Sequence, residues 1–139
     1  MWIKNFILCK KYPFLIVRNR FTGKKYGYKT TELDYLPTGW RKTFGIKICK
    51  DIKNVLKKSS DKNFWKKEYR ITQIKEKYGS LRWYSGAIPV DVADEYNKVI
   101  DKYEKISAET CISCGEKTEI KNHSGWFEPI CDICERKYM

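Results

Sequence analysis

The chain has 139 residues, of which 42% are hydrophobic, 15% aromatic and 33% charged, and its formal net charge is +12 at pH 7. This composition is too apolar for a disordered protein, and apolar runs of no more than four residues cannot span a membrane. The start of the chain lacks the apolar stretch of a secretion signal, so we expect a cytoplasmic protein with no membrane partner. A single histidine argues against most hydrolase and nuclease chemistries.

The positive charge is concentrated in the first part of the chain. Residues 1–77 carry 21 Lys and Arg against 6 Asp and Glu, whereas residues 78–139 carry 8 against 11. This asymmetry favours an anionic partner for the first part of the chain. The bias of an AT-rich genome toward lysine codons is an alternative explanation.

The first forty residues predict short strands and loops. Residues 14–18 and 25–30 have the composition of a β-hairpin with a glycine-containing turn between them. Residues 34–40 contain a proline and a glycine, which interrupt regular structure, so we expect a loop there.

Two amphipathic helices and a second hairpin are predicted further along. Between residues 40 and 58, apolar side chains recur at steps of three and four, and lysines occupy the opposite face. Residues 69–75 and 81–85 predict an antiparallel hairpin rich in aromatic side chains. Residues 90–107 predict the second helix, with acidic residues at its positive N-terminal end.

Together these elements predict an α+β fold, a small antiparallel sheet packed against two main helices. We expect a basic α+β core over residues 1–109 and a zinc-knuckle module over residues 110–139. The module is too short to bury a hydrophobic core of its own, so a metal ion must supply its order.

Two Cys-x-x-Cys pairs near the end of the chain carry the strongest functional signal. Cys111 and Cys114 are followed, after 16 residues, by Cys131 and Cys134. This spacing is typical of a four-thiolate Zn²⁺ site, and such closed sites leave no ligand position for a substrate. We therefore predict one structural zinc ion as the cofactor.

Other uses of these cysteines stay open at this point. A redox dithiol, a disulfide pair, and a zinc site of three cysteines and His123 are the alternatives. His123 does not match a zinc deaminase, because Ser124 and Gly125 follow it where that pattern requires a glutamate. Cys9 and Cys49 are expected to be small apolar core residues.

Basic and aromatic side chains are the candidate contacts with a partner. In the strand 81–85, alternation predicts that Trp83 points into the core and that Arg82 points outward to a partner. The complete set of candidate partner-binding residues is Arg41, Lys42, Lys57, Lys58, Lys66, Lys67, Lys75, Lys77, Arg82 and Tyr84.

Several blocks of the sequence resemble an uncharacterised family of small phage and prophage proteins. The family shares a hairpin with a lysine-glutamate-lysine, aromatic, glycine and leucine-arginine pattern, followed by a helix and a pair of zinc knuckles. The resemblance implies a viral setting in the host cytoplasm, and no catalytic residue. The matching blocks, besides the two cysteine pairs, are Tyr12-Pro13-Phe14-Leu15, Arg18-Asn19-Arg20-Phe21-Thr22-Gly23, Leu36-Pro37-Thr38-Gly39-Trp40 and Gln73-Ile74-Lys75-Glu76-Lys77-Tyr78-Gly79-Ser80-Leu81-Arg82-Trp83-Tyr84.

The sequence therefore predicts a binding protein and not an enzyme. The leading interpretation is a phage accessory protein whose basic, aromatic surface interferes with a host nucleic-acid-handling or antiviral defence complex. One alternative is a sponge that sequesters a small anionic nucleotide signal. Another is a regulator that binds DNA or RNA directly.

Overall fold

The computed structural model describes residues 2–137. The α-helices, in chain order, are α1 (Trp2–Lys11), α2 (Thr38–Trp40), α3 (Ile46–Leu56), α4 (Phe64–Lys67), α5 (Ala93–Ala108) and α6 (Asp132–Lys137). The strands are β1 (Ile71–Lys77), β2 (Ser80–Ser85), β3 (Ile120–His123) and β4 (Trp126–Pro129). Short 3₁₀ segments lie at Pro13–Leu15, Glu32–Tyr35 and Val90–Val92.

The fold is α+β, as predicted, but its strands are arranged differently. Instead of one small sheet there are two separate two-stranded antiparallel sheets, β1–β2 and β3–β4. Within residues 2–137, no helix is long and apolar enough to cross a membrane.

The helix predicted between residues 40 and 58 is confirmed, although it begins earlier. Its first turn is α2, its second is a π-helical segment over Arg41–Gly45, and α3 completes it. Ile48, Ile52 and Leu56 are fully buried on its inner face. The apolar periodicity therefore predicted the buried face of this helix correctly.

The N-terminal part differs most from the prediction. Helix α1 was not predicted, because its apolar residues do not follow one face: Ile3 and Ile7 are exposed, whereas Cys9 is buried. The predicted hairpin of residues 14–18 and 25–30 is wrong, since this region forms only isolated β-bridges.

Side-chain hydrogen bonds close the turn between the two segments that were predicted to be strands. The side-chain oxygen of Asn19 accepts bonds from the backbone N–H groups of Phe21 and Thr22, at 2.8 and 2.9 Å. The Arg18 guanidinium donates to the Gly23 carbonyl at 3.0 Å. The first segment forms no regular strand because its start, Pro13–Leu15, is a 3₁₀ turn whose backbone groups bond within the turn.

The main core lies between the β1–β2 hairpin and the inner faces of α3 and α5. Trp83 is 4% exposed, and its indole N–H donates to the hydroxyl of Tyr69 at 3.0 Å. That hydroxyl also shares a 2.6 Å hydrogen bond with Tyr96 of α5. The predicted core position of Trp83 is confirmed, and the buried polar atoms around it are paired.

Candidate metal centre and basic surface

The two cysteine pairs meet in three dimensions. The Sγ atoms of Cys111, Cys114, Cys131 and Cys134 all lie within 4.8 Å of one another, and those of Cys114 and Cys131 are 3.6 Å apart. Four thiolates around a tetrahedral zinc ion, at about 2.3 Å each, would be separated by about 3.8 Å. The cluster therefore has the size needed to hold one metal ion.

Tight backbone turns position the sulfur atoms. In the first knuckle, the N–H of Gly115 donates to the Cys111 carbonyl at 3.0 Å, and Gly115 has φ +85°. A glycine adopts this left-handed conformation without steric cost. The N–H of Ile112 then donates to the Pro129 carbonyl at 2.8 Å, which ties the first knuckle to the end of β4. Cys131 lies two residues further on, immediately before α6.

The surroundings shift the pKa values of the thiols in opposite directions. Burial raises the pKa of Cys111, but backbone N–H groups, first that of Cys114, outweigh burial and lower it to about 6. Burial and then the neighbouring Cys131 and Cys114 thiols raise the pKa of Cys134 to about 12. Because neighbouring thiolates repel one another, a bound cation is what allows all four to ionise.

The alternatives to a four-cysteine site find less support in the geometry. The compact group of donor atoms contains no histidine, and Nε2 of His123 instead lies 3.3 Å from a carboxylate oxygen of Glu135. Cys9 and Cys49 lie in the main core, where burial raises the pKa of both thiols, that of Cys9 to about 11. Both have the apolar packing role that was predicted.

The first knuckle also contacts the helical segment that begins at Thr38. The indole N–H of Trp40, a fully buried residue, donates to the Thr110 carbonyl at 2.8 Å. The Thr43 hydroxyl donates to the Gly115 carbonyl at 3.0 Å. The first knuckle is therefore attached to the helical segment that begins at Thr38, although it is about 70 residues away in sequence.

Three of the predicted partner-binding residues are engaged in ion pairs. Arg41 pairs with Asp34, Lys58 with Glu95 at 2.8 Å, and Arg82 with Glu104 at 3.0 Å. The side chain of Arg82 is 26% exposed, and a partner would have to compete with Glu104 for its guanidinium, so its role in partner binding stays a prediction. Glu104 lies on α5, which packs beside β2 and places its carboxylate next to the guanidinium. The net charge available to a partner is correspondingly smaller.

The β1–β2 hairpin does bring four predicted residues to one face. Its register pairs Lys75 with Arg82 and Gln73 with Tyr84, opposite the buried side of the strands. The ammonium group of Lys75 lies 5.9 Å from the ring centre of Tyr84. Lys77 is on the same face and exposed. This face combines cations with an exposed aromatic ring.

A second basic group, which we name the lysine cluster, consists of Lys11, Lys53 and Lys57. The ammonium group of Lys53 donates to the Lys11 carbonyl at 3.0 Å and lies 4.6 Å from the ring centre of Trp65. Burial, then the positive charges of Lys57 and Lys11, lower the pKa of Lys53. Among the ion pairs described for residues 2–137, none involves these three side chains.

Sequence reasoning identified only Lys57 of this cluster. Lys11 was missed because α1 was not predicted, and its approach to α3 depends on tertiary packing. Lys53 was assigned to the solvent face of its helix, and its three- and four-residue spacing from Lys50 and Lys57 was the available signal. The remaining predicted lysines are exposed at other positions: Lys42 in the π-helical segment, and Lys66 and Lys67 at the end of α4.

Comparison of the chain with protein-family models, characterised proteins and solved structures finds no match to any of them.

Proposed function

We propose that this protein binds nucleic acid through the lysine cluster and that a structural zinc ion occupies the four-cysteine centre. Four sulfur donors favour a soft or borderline cation, and zinc takes four thiolates in a closed tetrahedral site. Cys111, Cys114, Cys131 and Cys134 would hold it. The ion would fix the knuckles in place and offer no position to a substrate.

The observation that carries the nucleic-acid proposal is the packing of like charges in the lysine cluster. Burial first, then the positive charges of Lys57 and Lys11, lower the pKa of Lys53, and the described ion pairs give none of the three lysines a carboxylate partner. Phosphate groups would relieve this repulsion, and the lysines would displace the counterions that are condensed on the nucleic acid. Trp65, half-buried beside Lys53, adds an aromatic surface next to the cations.

The cavity beside the first knuckle does not favour the alternative function of a nucleotide sponge. A cavity of about 550 Å³ beside the first knuckle is lined by Glu128 and by no Lys or Arg. A carboxylate without a compensating cation disfavours a phosphorylated ligand there. Interference with a host nucleic-acid-handling or antiviral defence complex, as a phage accessory protein, stays a prediction.

Fluorescence anisotropy with labelled DNA and RNA, measured across a salt series, tests the proposal. Charge reversal of Lys11, Lys53 and Lys57 should weaken binding strongly. It should also reduce the slope of log K against log salt by about one for each phosphate that the variant no longer neutralises. Thermal unfolding of the same variant checks that the fold is retained.

Two control variants separate this surface from charge in general. Lys58→Glu removes a lysine on the same helix end that is already paired with Glu95, so we expect a much smaller loss. Charge reversal of Glu116 and Glu119, in the zinc-knuckle module, should leave the affinity for nucleic acid unchanged or raise it slightly. Equal losses from all variants, or no binding by the natural protein at low salt, would contradict the proposal.

A further inference from the structure

The tips of the two hairpins enclose a cleft that the lysine cluster does not involve. A cavity of about 200 Å³ lies between them, lined by Glu76, Lys77, Tyr78, Gly125, Trp126 and Phe127. The tip of the β1–β2 hairpin packs closely on the strands of the other hairpin because position 79 is a glycine: a Cβ there would lie 3.0 Å from the Ile120 side chain and 3.5 Å from the Cα of Glu128. Hairpins from separate sheets are thus brought into direct contact.

Three aromatic side chains at this cleft are exposed to solvent. Tyr78 is 69% exposed, Trp126 66% and Phe127 39%. None of the ring-to-ring contacts described for residues 2–137 includes them. The ammonium group of Lys77 lies 5.6 Å from the ring centre of Tyr78. Exposed aromatic rings that do not pack on other rings, beside a cation, are the components of a base-stacking site.

The backbone at Tyr78 indicates that this ring is not there for stability. Tyr78 and Gly79 have φ values of +53° and +88°, which is the pattern of a type I′ turn. Asparagine is favoured at the first position of such turns, whereas a bulky residue is strained in the left-handed region. The Tyr78 side chain gains little packing in return, since most of it is exposed. Strain of this kind is concentrated at functional surfaces.

We propose that the cleft binds an unpaired base of a single-stranded nucleic acid. The inference rests on the proposed function, and it goes further by naming single strands as the preferred substrate class. The cavity, at about 200 Å³, is small and suits one base better than a whole nucleotide. Duplex DNA keeps its bases stacked and cannot supply one without unpairing.

The charges at the cleft assign the base and the phosphate to different places. Glu76 is held in position because its carboxylate accepts a 2.7 Å hydrogen bond from the N–H of Gly79. A fixed negative charge repels phosphate from the interior, so the neutral base enters there. Lys77, exposed at the rim, is placed to contact the adjoining phosphate.

The decisive variant is Tyr78→Asn, assayed with a labelled single strand and with the matching duplex. Because asparagine suits the type I′ turn, this variant should raise the melting temperature while removing the stacking ring. We expect about a tenfold loss of affinity for the single strand and little change for the duplex. Trp126→Ala tests a second ring of the cleft, and Tyr35→Ala, at another exposed tyrosine, is the matched control.

The outcomes separate this inference from the proposed function. A loss confined to single strands in Tyr78→Asn, with Tyr35→Ala unaffected, supports the cleft. Equal binding of single strand and duplex, unaltered by Tyr78→Asn, overturns the cleft and leaves the lysine cluster as the binding site. Absence of binding to either form by the natural protein overturns both proposals.

Discussion

The Cα of Gly39 faces the carbonyl oxygen of Cys111 so closely that a Cβ at position 39 would lie 2.1 Å from that oxygen. The backbone N–H of Gly39 also donates to the Ile112 carbonyl at 2.8 Å. Helix α2 therefore packs backbone to backbone on the first knuckle, which contains Cys111 and Cys114. No other amino acid allows this approach without displacement of the knuckle.

Replacement of this glycine should damage both the metal centre and the fold. Gly39→Ala forces its methyl group into the Cys111 carbonyl, and overpacking against rigid backbone costs about 1–3 kcal/mol or more. We expect a lower melting temperature and a reduced zinc content, measured by thermal unfolding and by atomic absorption.

Gly86→Ala is the matched control for this experiment. A Cβ at position 86 meets no atom within 4 Å, and its φ is not in the left-handed region. This variant should unfold at the natural temperature or slightly above it, since alanine restricts the unfolded chain. Similar destabilisation by both substitutions would show that the knuckle contact has no special importance.

Removal of the metal should destabilise more than the C-terminal module. The indole of Trp40, in the main core, donates a hydrogen bond to the Thr110 carbonyl beside the first knuckle, so the core and the module are joined. Chelation or Cys131→Ser should therefore lower the melting temperature of the whole chain in one cooperative transition. Circular dichroism and metal analysis on the same samples measure this.

Cys9→Ala is the matched control for the loss of a thiolate. It removes a buried thiol of the main core and should keep a full equivalent of zinc. Zinc-free protein purified under reducing conditions, or full zinc in Cys131→Ser, would refute the four-thiolate site.

Substitution of two adjacent residues of β2 should lower the free energy of unfolding by very different amounts. Trp83→Ala removes a buried ring and its hydrogen bond to Tyr69, at a cost of about 3–5 kcal/mol in the free energy of unfolding. Tyr84→Ala removes a 42% exposed ring from the outer face and should cost less than about 1 kcal/mol. Urea denaturation measures both values. A large loss from Tyr84→Ala would contradict the alternation of the two faces.

Asp91 should make part of the stability depend on pH. Its carboxylate accepts bonds from the Ser60 N–H at 2.7 Å and the Ser59 hydroxyl at 3.0 Å, and these hold its pKa below the usual value. The stabilisation is present above the unfolded-state pKa of about 3.9 and is lost as the pH falls through the lower folded-state value.

The measurement compares melting temperatures at two pH values. Asp91→Ala should melt below the natural protein at about pH 7, and the difference should shrink as the pH falls below about 3.9 and the aspartate takes up a proton. Asp101→Ala, at an exposed aspartate of α5 with no described bond to its carboxylate, should show no such dependence. A difference that persists at low pH would mean that the ionised carboxylate is not responsible.

Local patterns in the sequence predicted the two main helices, the β1–β2 hairpin and the four-cysteine cluster of this protein. Helical periodicity identified the buried stripe of α3, and strand alternation placed Trp83 in the core. The spacing of the cysteine pairs predicted the four-sulfur cluster. Each of these features depends on residues a few positions apart, or on a ligand pattern that is itself short, so the sequence displays it directly.

Only the tertiary structure decided which charges and rings are available to a partner. Arg82 forms an ion pair with Glu104 of α5. The Lys11 carbonyl accepts a hydrogen bond from Lys53, and Lys11 lies at the end of α1, a helix that the sequence does not predict because its apolar residues do not follow one face. The cleft at Tyr78 exists because two hairpins from separate sheets meet at Gly79. These contacts join residues from about 20 to about 50 positions apart, and their formation depends on how whole elements pack, which no local periodicity encodes.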